Sequence, residues 1–120
     1  MKSILVVDDL QAEIDLISSY LKDQGYVVYT ASDGKEALGV IEKNKPDAVI
    51  SDMMMPEMGG LELCRALKKN PSTADIPVIA CTVKNRDIDR RWAAKQGVES
   101  YLTKPYTRDQ ILEAVQSVLG

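Results

Sequence analysis

The sequence predicts an α/β fold: a doubly wound parallel sheet of five strands, with five helices divided between its two faces. Short apolar runs alternate with amphipathic segments along all 120 residues, as in chains built from successive β/α units. The first, third and fourth runs are almost wholly apolar, which is typical of strands covered by helices on both faces. Connections between parallel strands are right-handed, so the helices divide between the two faces.

The first strand is predicted at residues 4–7, and a helix follows Asp9. The apolar residues of this helix recur at helical spacing: Leu10, Ile14, Ile17 and Leu21. The helix is expected to end at Gly25, because glycine readily adopts the conformation found after a helix C-terminus. The second strand is predicted at about Tyr26–Thr30.

The second helix is predicted to begin near Asp33, whose carboxylate is a good N-cap, with Glu36 placed to complete a capping box. This helix ends before Pro46. A third strand is predicted at about Ala48–Ser51, and a third helix at about Gly60–Lys69.

The fourth strand is predicted at about Val78–Cys81, the fourth helix at about Arg86–Gln96 and the fifth strand at about Ser100–Thr103. Ile88 and Trp92 lie one turn apart in the fourth helix. Their spacing predicts that they share one apolar face.

The fifth helix opens with a capping box formed by Thr107 and Gln110. Its apolar stripe comprises Ile111, Val115 and Val118. Residues 1–120 are expected to form one domain, because their number is close to the commonest domain size and leaves no room for a second.

Composition argues against several classes of function. The chain is 45% hydrophobic, has a net charge of −3, and contains one Trp, five Tyr and no Phe. No basic stripe alternates with stacking aromatic residues, so direct binding of nucleic acid is not expected. The first apolar run is too short for a signal peptide, and no run is long enough for membrane insertion, so the expected compartment is the cytoplasm.

The chain contains no histidine. Its absence excludes Ser/His/Asp catalysis, histidine-ligated zinc and a phosphohistidine carried on this chain. The two cysteines, Cys64 and Cys81, form no CxxC motif. They are expected to be buried core thiols rather than redox or metal-binding groups.

Polar residues stand at the predicted carboxyl ends of four apolar runs. Asp8 and Asp9 follow the first predicted strand, and Asp52 follows the third. Thr82 follows the fourth predicted strand, and Lys104 follows the fifth. Ligands of open parallel sheets bind beyond the carboxyl ends of the strands. We therefore expect these side chains to share one crevice.

The three carboxylates predict a site for a divalent cation. Two like charges about 4 Å apart repel by roughly 4 kcal/mol at a surface-like dielectric. A hard cation relieves that repulsion, and Mg²⁺ prefers few carboxylates, several waters and phosphate oxygens. The alternative is that Asp8, Asp9 and Asp52 are ordinary helix caps and loop residues.

Lys104 can pair with Asp52 at rest and with a phosphoryl oxygen afterwards. It precedes Pro105, and a cis bond there would turn the chain and aim the lysine inward. Thr82 offers a hydroxyl to a second phosphoryl oxygen. A carboxylate flanked by a metal and a cation can attack phosphorus, and Asp52 is the best candidate. A solvated lysine and an ordinary helix cap are the alternatives for Lys104 and Thr82.

These residues together resemble the receiver domain of two-component response regulators. The matching residues extend over the whole chain: Asp8, Asp9, Asp52, Met53, Met54, Met55, Pro56, Gly60, Thr82, Tyr101, Lys104 and Pro105. The resemblance implies a flavodoxin-like fold with strand order 2-1-3-4-5. The segments 91–92 and 95–97 also resemble single-domain regulators of type IV pilus and twitching-motility systems.

By this resemblance, Asp52 is the phosphoacceptor, and the donor is a histidine kinase or a histidine phosphotransfer protein. Asp9 and Asp52 would coordinate Mg²⁺, or Mn²⁺, through their side chains. Met54 would coordinate it through its backbone carbonyl, and Asp8 mostly through water. The chain would not be an enzyme in the usual sense, since it would promote only its own phosphorylation and dephosphorylation.

The resemblance also implies a switch formed by Thr82 and Tyr101. The threonine hydroxyl would move towards the phosphoryl group, and the aromatic ring would turn into the space that the hydroxyl leaves. This would remodel the face made by the fourth helix, the fifth strand and the fifth helix, where an unknown output protein binds. The alternative for Tyr101 is an ordinary half-buried strand residue.

Two other functions are considered. A phosphohydrolase of the haloacid dehalogenase type also uses an aspartyl nucleophile, but it needs Asp-x-Asp after its first strand, and here Leu10 follows the acidic pair. It also needs a cap over the site, for which the chain has no segment. A receiver acting only as a scaffold is the second alternative, and the complete acidic set argues against it.

Overall fold

The computed structural model describes residues 1–53, 55, 58–83 and 86–119, and it confirms the predicted fold class. One parallel sheet has the order β2-β1-β3-β4-β5. The strands are β1 (Ser3–Val7), β2 (Val27–Ala31), β3 (Ala48–Asp52), β4 (Val78–Thr82) and β5 (Ser100–Thr103). The helices are α1 (Gln11–Asp23), α2 (Gly34–Lys43), α3 (Gly60–Lys69), α4 (Asp87–Lys95) and α5 (Arg108–Leu119).

The three central strands are buried and the two edge strands are not. Nearly every residue of β1, β3 and β4 is buried. The edge strand β2 has exposed and half-buried positions and one buried residue, Ala31, and all of β5 is half-buried. This distribution matches the wholly apolar sequences of the three central strands, which are covered by helices on both faces.

Two apolar clusters lie on the opposite faces of the sheet, because successive side chains of a strand point to opposite sides. One cluster joins Leu5 and Val49 to residues of α2 and α3. The other joins Ile4 and Ile50 to residues of α1 and α5, including Ile111. This division confirms that the sheet is doubly wound.

Local capping contacts explain where two helices begin. Asp33 accepts a hydrogen bond from the backbone N–H of Glu36 at 2.8 Å, as predicted. The Glu36 carboxylate, however, accepts a hydrogen bond from the hydroxyl of Ser32 rather than completing the predicted box. Thr107 and Gln110 form a complete capping box, with distances of 2.8 and 3.1 Å, which confirms the prediction for α5.

Leu10 departs from the apolar stripe expected for α1, whereas Ile88 and Trp92 share one face of α4 as predicted, but that face is largely exposed. Leu10 is the N-cap of α1 and is 55% exposed, rather than part of its buried stripe. In α4, Ile88 and Trp92 are 63% and 50% exposed, and Ala93 is the buried residue. The reason is geometric: α4 meets the core through Ala93, which belongs to the apolar cluster of Leu5 and Val49, and Ile88 and Trp92 lie outside that cluster.

No helix in the described part of the chain combines the length and apolar content that a membrane crossing requires.

Candidate functional site

The fold brings the predicted site residues to one edge of the sheet. Asp8 follows the last residue of β1, Asp52 ends β3, Thr82 ends β4, and Lys104 follows β5. The register places Asp52 beside Cys81 and Thr82 beside Thr103, so the carboxyl ends of the strands lie level with one another. This confirms the prediction that the polar strand ends meet.

Three carboxylates form the acidic part of the site. One oxygen from each of Asp8, Asp9 and Asp52 lies within 4.8 Å of the others. Asp8 is 2% exposed, Asp52 is half-buried and Asp9 is exposed, so the cluster runs from the interior to the surface. Such a set of hard oxygen donors open to water on one side fits Mg²⁺. Met54, the fourth expected ligand, lies outside the described residues.

The ammonium group of Lys104 lies against two of these carboxylates. Its Nζ donates hydrogen bonds to Oδ2 of Asp8 at 3.1 Å and to Oδ2 of Asp52 at 3.3 Å. Burial acts to lower the pKa of Lys104, but the hydrogen bonds and charges of Asp8 and Asp52 outweigh it and raise that pKa above its usual value. Lys104 therefore carries a full positive charge at neutral pH.

Backbone contacts position both ends of this ion pair. The amide of Lys104 donates to the carbonyl oxygen of Thr82 at 2.7 Å, and the Lys104–Pro105 peptide bond is cis. The other oxygen of Asp8, Oδ1, accepts the amide hydrogen of Leu10 at 3.0 Å. The buried carboxylate of Asp8 is thus satisfied from two sides.

A cavity of about 560 Å³ opens over the site. Its walls are formed by Asp9, Leu10, Glu13, Asp52, Thr82, Val83, Lys104 and Pro105. Because Asp52 and Lys104 both line the cavity, a ligand can approach the Asp52 carboxylate from solvent.

Sequence reasoning did not identify Glu13 or Tyr106 as part of this site. The hydroxyl of Tyr106 donates a hydrogen bond to the Glu13 carboxylate, which joins the loop after β5 to the first turn of α1. Burial and this hydrogen bond raise the pKa of Tyr106 above its usual value. The available signal was weak: Glu13 lies one helical turn beyond Asp9, and it could equally be a solvated first-turn acid.

Two glycines let the next helix approach the acidic strand end. A Cβ at Gly60, the first residue of α3, would overlap the carbonyl oxygen of Asp52. A Cβ at Gly59 would lie 2.6 Å from the carbonyl oxygen of Met53. The close approach of α3 to the end of β3 therefore requires residues without a side chain.

The proposed switch residues lie on one face of the sheet. Thr82 is 1% exposed and Tyr101 is half-buried. In the β4–β5 register, Tyr101 pairs with Ala80 and Thr103 pairs with Thr82. Paired residues point to the same side, so the Tyr101 ring and the Thr82 hydroxyl lie on the same face of neighbouring strands.

Both thiols are buried, which agrees with the prediction that they are core residues. Burial raises the pKa of Cys81 to about 12, although Lys104 lowers it. Burial also raises the pKa of Cys64, whose Sγ donates to the carbonyl oxygen of Gln96 at 3.2 Å. A thiol that stays protonated is a poor nucleophile and a poor metal ligand.

Comparison with known proteins gives concordant results. The family described as the response regulator receiver domain matches residues 4–116. Protein PilH of Pseudomonas aeruginosa is 35% identical over 120 residues, which cover 100% of this chain and 99% of that protein. The alkaline phosphatase synthesis transcriptional regulatory protein PhoP of Bacillus subtilis is 36% identical over 98% of this chain, which spans only 48% of that regulator.

Solved structures agree with the sequence relatives. The chemotaxis protein CheY4 of Vibrio cholerae superposes with a TM-score of 0.94 at 33% identity, covering 99% of each chain. A response regulator receiver domain protein of Clostridium thermocellum gives a TM-score of 0.88 at 34% identity, covering 99% of this chain and 94% of the other.

Proposed function

The chain belongs to the response regulator receiver domain family, and we propose that it accepts a phosphoryl group on Asp52 and signals by binding an output protein. The observation that carries this proposal is the position of the Asp52 carboxylate. It ends a central strand, lies among two further carboxylates and an ammonium group, and faces an open cavity.

The proposed donor is a phosphohistidine on a histidine kinase or a phosphotransfer protein. A carboxylate oxygen of Asp52 attacks the phosphorus, a P–O bond forms, the P–N bond to the donor breaks, and the donor imidazole leaves. The Lys104 ammonium, 3.3 Å from Asp52, neutralises charge on the phosphoryl oxygens. The Thr82 hydroxyl, at the end of the neighbouring strand, donates to another of these oxygens.

Asp8, Asp9 and Asp52 would hold Mg²⁺ or Mn²⁺, with the carbonyl of Met54 as the further ligand implied by the family. When bound, the ion supplies positive charge that offsets the negative charge of the carboxylates and of the incoming phosphoryl group. Asp9 is exposed, so its carboxylate can exchange its hydrating water for the metal ion at little cost. Asp8 is buried and hydrogen-bonded to the amide of Leu10, so its carboxylate stays in place.

Phosphorylation would be reported through Thr82 and Tyr101. The hydroxyl of Thr82 moves towards the phosphoryl group, and the Tyr101 ring turns inward beside it. The proposal is supported by the register, which sets both side chains on one face of β4 and β5. The surface formed by α4, β5 and α5 would then change shape and bind the output protein.

The similarity to PilH favours a role in pilus-based motility or taxis, exercised in the cytoplasm. The phosphohydrolase alternative is not favoured, because the family match extends over residues 4–116 and the similar proteins are response regulators. The acidic cluster and its lysine also argue against a scaffold that never receives phosphate.

Phosphorylation tests the proposal directly. The wild-type chain, incubated with acetyl phosphate and Mg²⁺, should gain one phosphoryl group in intact-mass analysis, and Asp52→Asn should gain none. Asp109→Asn serves as the matched control, since Asp109 lies on the exposed face of α5, and it should be modified like the wild type. An unmodified wild-type chain, or equal modification of Asp52→Asn, would contradict the proposal.

A further inference from the structure

Arg90 of α4 contacts β5 at three points. The guanidinium carbon lies 4.8 Å from the centroid of the Tyr101 ring. Nη2 donates a hydrogen bond to Oγ1 of Thr103 at 2.7 Å, and Nη1 lies 3.5 Å from the carbonyl oxygen of Tyr101. The first is a cation–π contact and the second a strong hydrogen bond, while the third is at the limit of hydrogen bonding.

These contacts join α4 to β5 on a helix that buries little of its own surface. Ala93 is the single buried residue among those described in α4. Ile88 and Trp92 are 63% and 50% exposed and lie outside the apolar cluster to which Ala93 belongs. Arg90 therefore supplies directional contacts where apolar packing is thin.

The register shows what Arg90 holds. Tyr101 and Thr103 are two residues apart on one strand, so both side chains are on the face that also carries Thr82. Thr103 pairs with Thr82 across the β4–β5 register, so the hydrogen bond to Thr103 fixes the guanidinium close to the switch residues. The planar face of the guanidinium lies over the ring of Tyr101, and Tyr101 is half-buried.

We propose that Arg90 is a positioning residue for the switch: its guanidinium holds the Tyr101 ring in its partly exposed position and thereby opposes inward rotation. The proposal rests on the proposed function, because it concerns how readily the Thr82–Tyr101 switch moves. It assigns the role to a residue outside the phosphoryl site, on a different element from Tyr101.

The thermodynamic consequence has a definite sign. A contact made only when the ring lies under the guanidinium stabilises that position alone. Removing the contact raises the fraction of protein molecules in which the Tyr101 ring is turned inward. A ligand that favours the inward position then binds more tightly. A cation–π contact at an exposed site corresponds to about a two- to fivefold change in an equilibrium constant.

The experiment uses the full chain and three variants: Arg90→Ala, Arg90→Lys and the matched control Arg91→Ala. Arg91 is the neighbouring exposed cation, so the control makes the same charge change without touching Tyr101. Two quantities are measured: the χ1 populations of Tyr101 by NMR, without any phosphate analogue, and the dissociation constant of beryllofluoride in the presence of Mg²⁺. Thermal melts check that each variant is folded.

Arg90→Ala should increase the inward population of Tyr101 and tighten beryllofluoride binding by about two- to fivefold. Arg90→Lys should lie between it and the wild type, because an ammonium can approach the ring but lacks the planar fork. Arg91→Ala should match the wild type. Unchanged Tyr101 populations and affinity in Arg90→Ala, or equal effects of Arg91→Ala, would overturn the role of Arg90. Failure of the wild-type chain to bind beryllofluoride would instead contradict the proposed function.

Discussion

The ammonium nitrogen of Lys104 lies 3.1 Å from Oδ2 of Asp8, although 96 positions separate the two residues in the chain. The side chain of Asp8 is 3% exposed and that of Lys104 is 14% exposed, so this ion pair is largely removed from water. The lysine was expected to pair with Asp52, and it does, but it also neutralises the more deeply buried carboxylate. It therefore has a structural role as well as its proposed chemical one.

Removing the lysine should destabilise the fold. Lys104→Met leaves the Asp8 carboxylate buried without its cation, and breaking a buried pair in this way costs about 3–5 kcal/mol. Urea unfolding measures the effect. Lys22→Met, which removes an exposed lysine of α1, is the control and should change the free energy of unfolding by less than about 0.5 kcal/mol. Equal stability of the two variants would mean that Asp8 does not need the cation.

Magnesium should stabilise the wild-type chain. An ion that binds only the folded state adds about 2.7 kcal/mol at a hundredfold excess over its dissociation constant, so Tm should rise by several degrees. Asp9→Asn should reduce this shift strongly, because it removes one of the three carboxylates. It should also leave the ion-free chain at least as stable, since like-charge repulsion falls. Asp109→Asn should keep the full shift, and an equal shift in Asp9→Asn would count against the metal site.

A methyl group at position 60 should damage both the fold and the site. In Gly60→Ala the new Cβ overlaps the carbonyl oxygen of Asp52, so α3 or the end of β3 must move. Overpacking of this kind costs about 1–3 kcal/mol, and beryllofluoride binding should weaken because Asp52 is displaced. Gly39→Ala is the matched control: no atom lies within 4 Å of its Cβ, and in the interior of α2 alanine should add about 0.5–1 kcal/mol. A Gly60→Ala protein as stable as the wild type would contradict the close approach.

The Tyr106–Glu13 hydrogen bond should appear in the pH dependence of stability. The pKa of Tyr106 is raised in the folded protein, whereas it is about 10 in the unfolded chain. Below about pH 10 both states keep the phenolic proton, and above it the unfolded chain loses the proton first, so stability falls as pH rises. Tyr106→Phe removes this contribution, and its free energy of unfolding should fall less steeply above about pH 10 than that of the wild type.

Glu13→Gln refines this measurement. It weakens the hydrogen bond but leaves Tyr106 buried, and burial is the larger cause of the raised pKa. Its unfolding curve above about pH 10 should therefore lie between those of the wild type and Tyr106→Phe. Parallel curves for all three proteins would show that Tyr106 ionises as easily in the folded protein as in the unfolded chain.

The cysteines should be unreactive until the protein unfolds. Cys64 and Cys81 are 0% and 2% exposed, and burial raises the pKa of Cys81 to about 12. A thiol-specific reagent at pH 8 should label neither residue in the native protein at an appreciable rate, because the reactive species is the thiolate. Both should react within the mixing time in denaturant. Rapid labelling of the native protein would show that a thiol is more accessible than its burial indicates.

Much of the fold could be predicted because its signals are local. Alternating apolar and amphipathic segments predicted all ten elements, with most boundaries within one or two residues. Polar residues at the ends of apolar runs predicted which side chains would meet, since parallel strands align their carboxyl ends. The capping box of Thr107 and Gln110 was predicted for the same reason: it involves residues three positions apart.

The sequence by itself thus determined the sheet, the edge that carries the site and the chemical groups found there. Only the tertiary structure decided that Lys104 pairs with Asp8 as well as Asp52, that Tyr106 binds Glu13, and that Arg90 covers Tyr101. It also decided that Ile88 and Trp92 face solvent. The physical reason is that periodicity shows which side chains share a face, but not whether that face meets a neighbour. Contacts between residues more than 90 positions apart depend on how the strands and helices are packed, which no local pattern records.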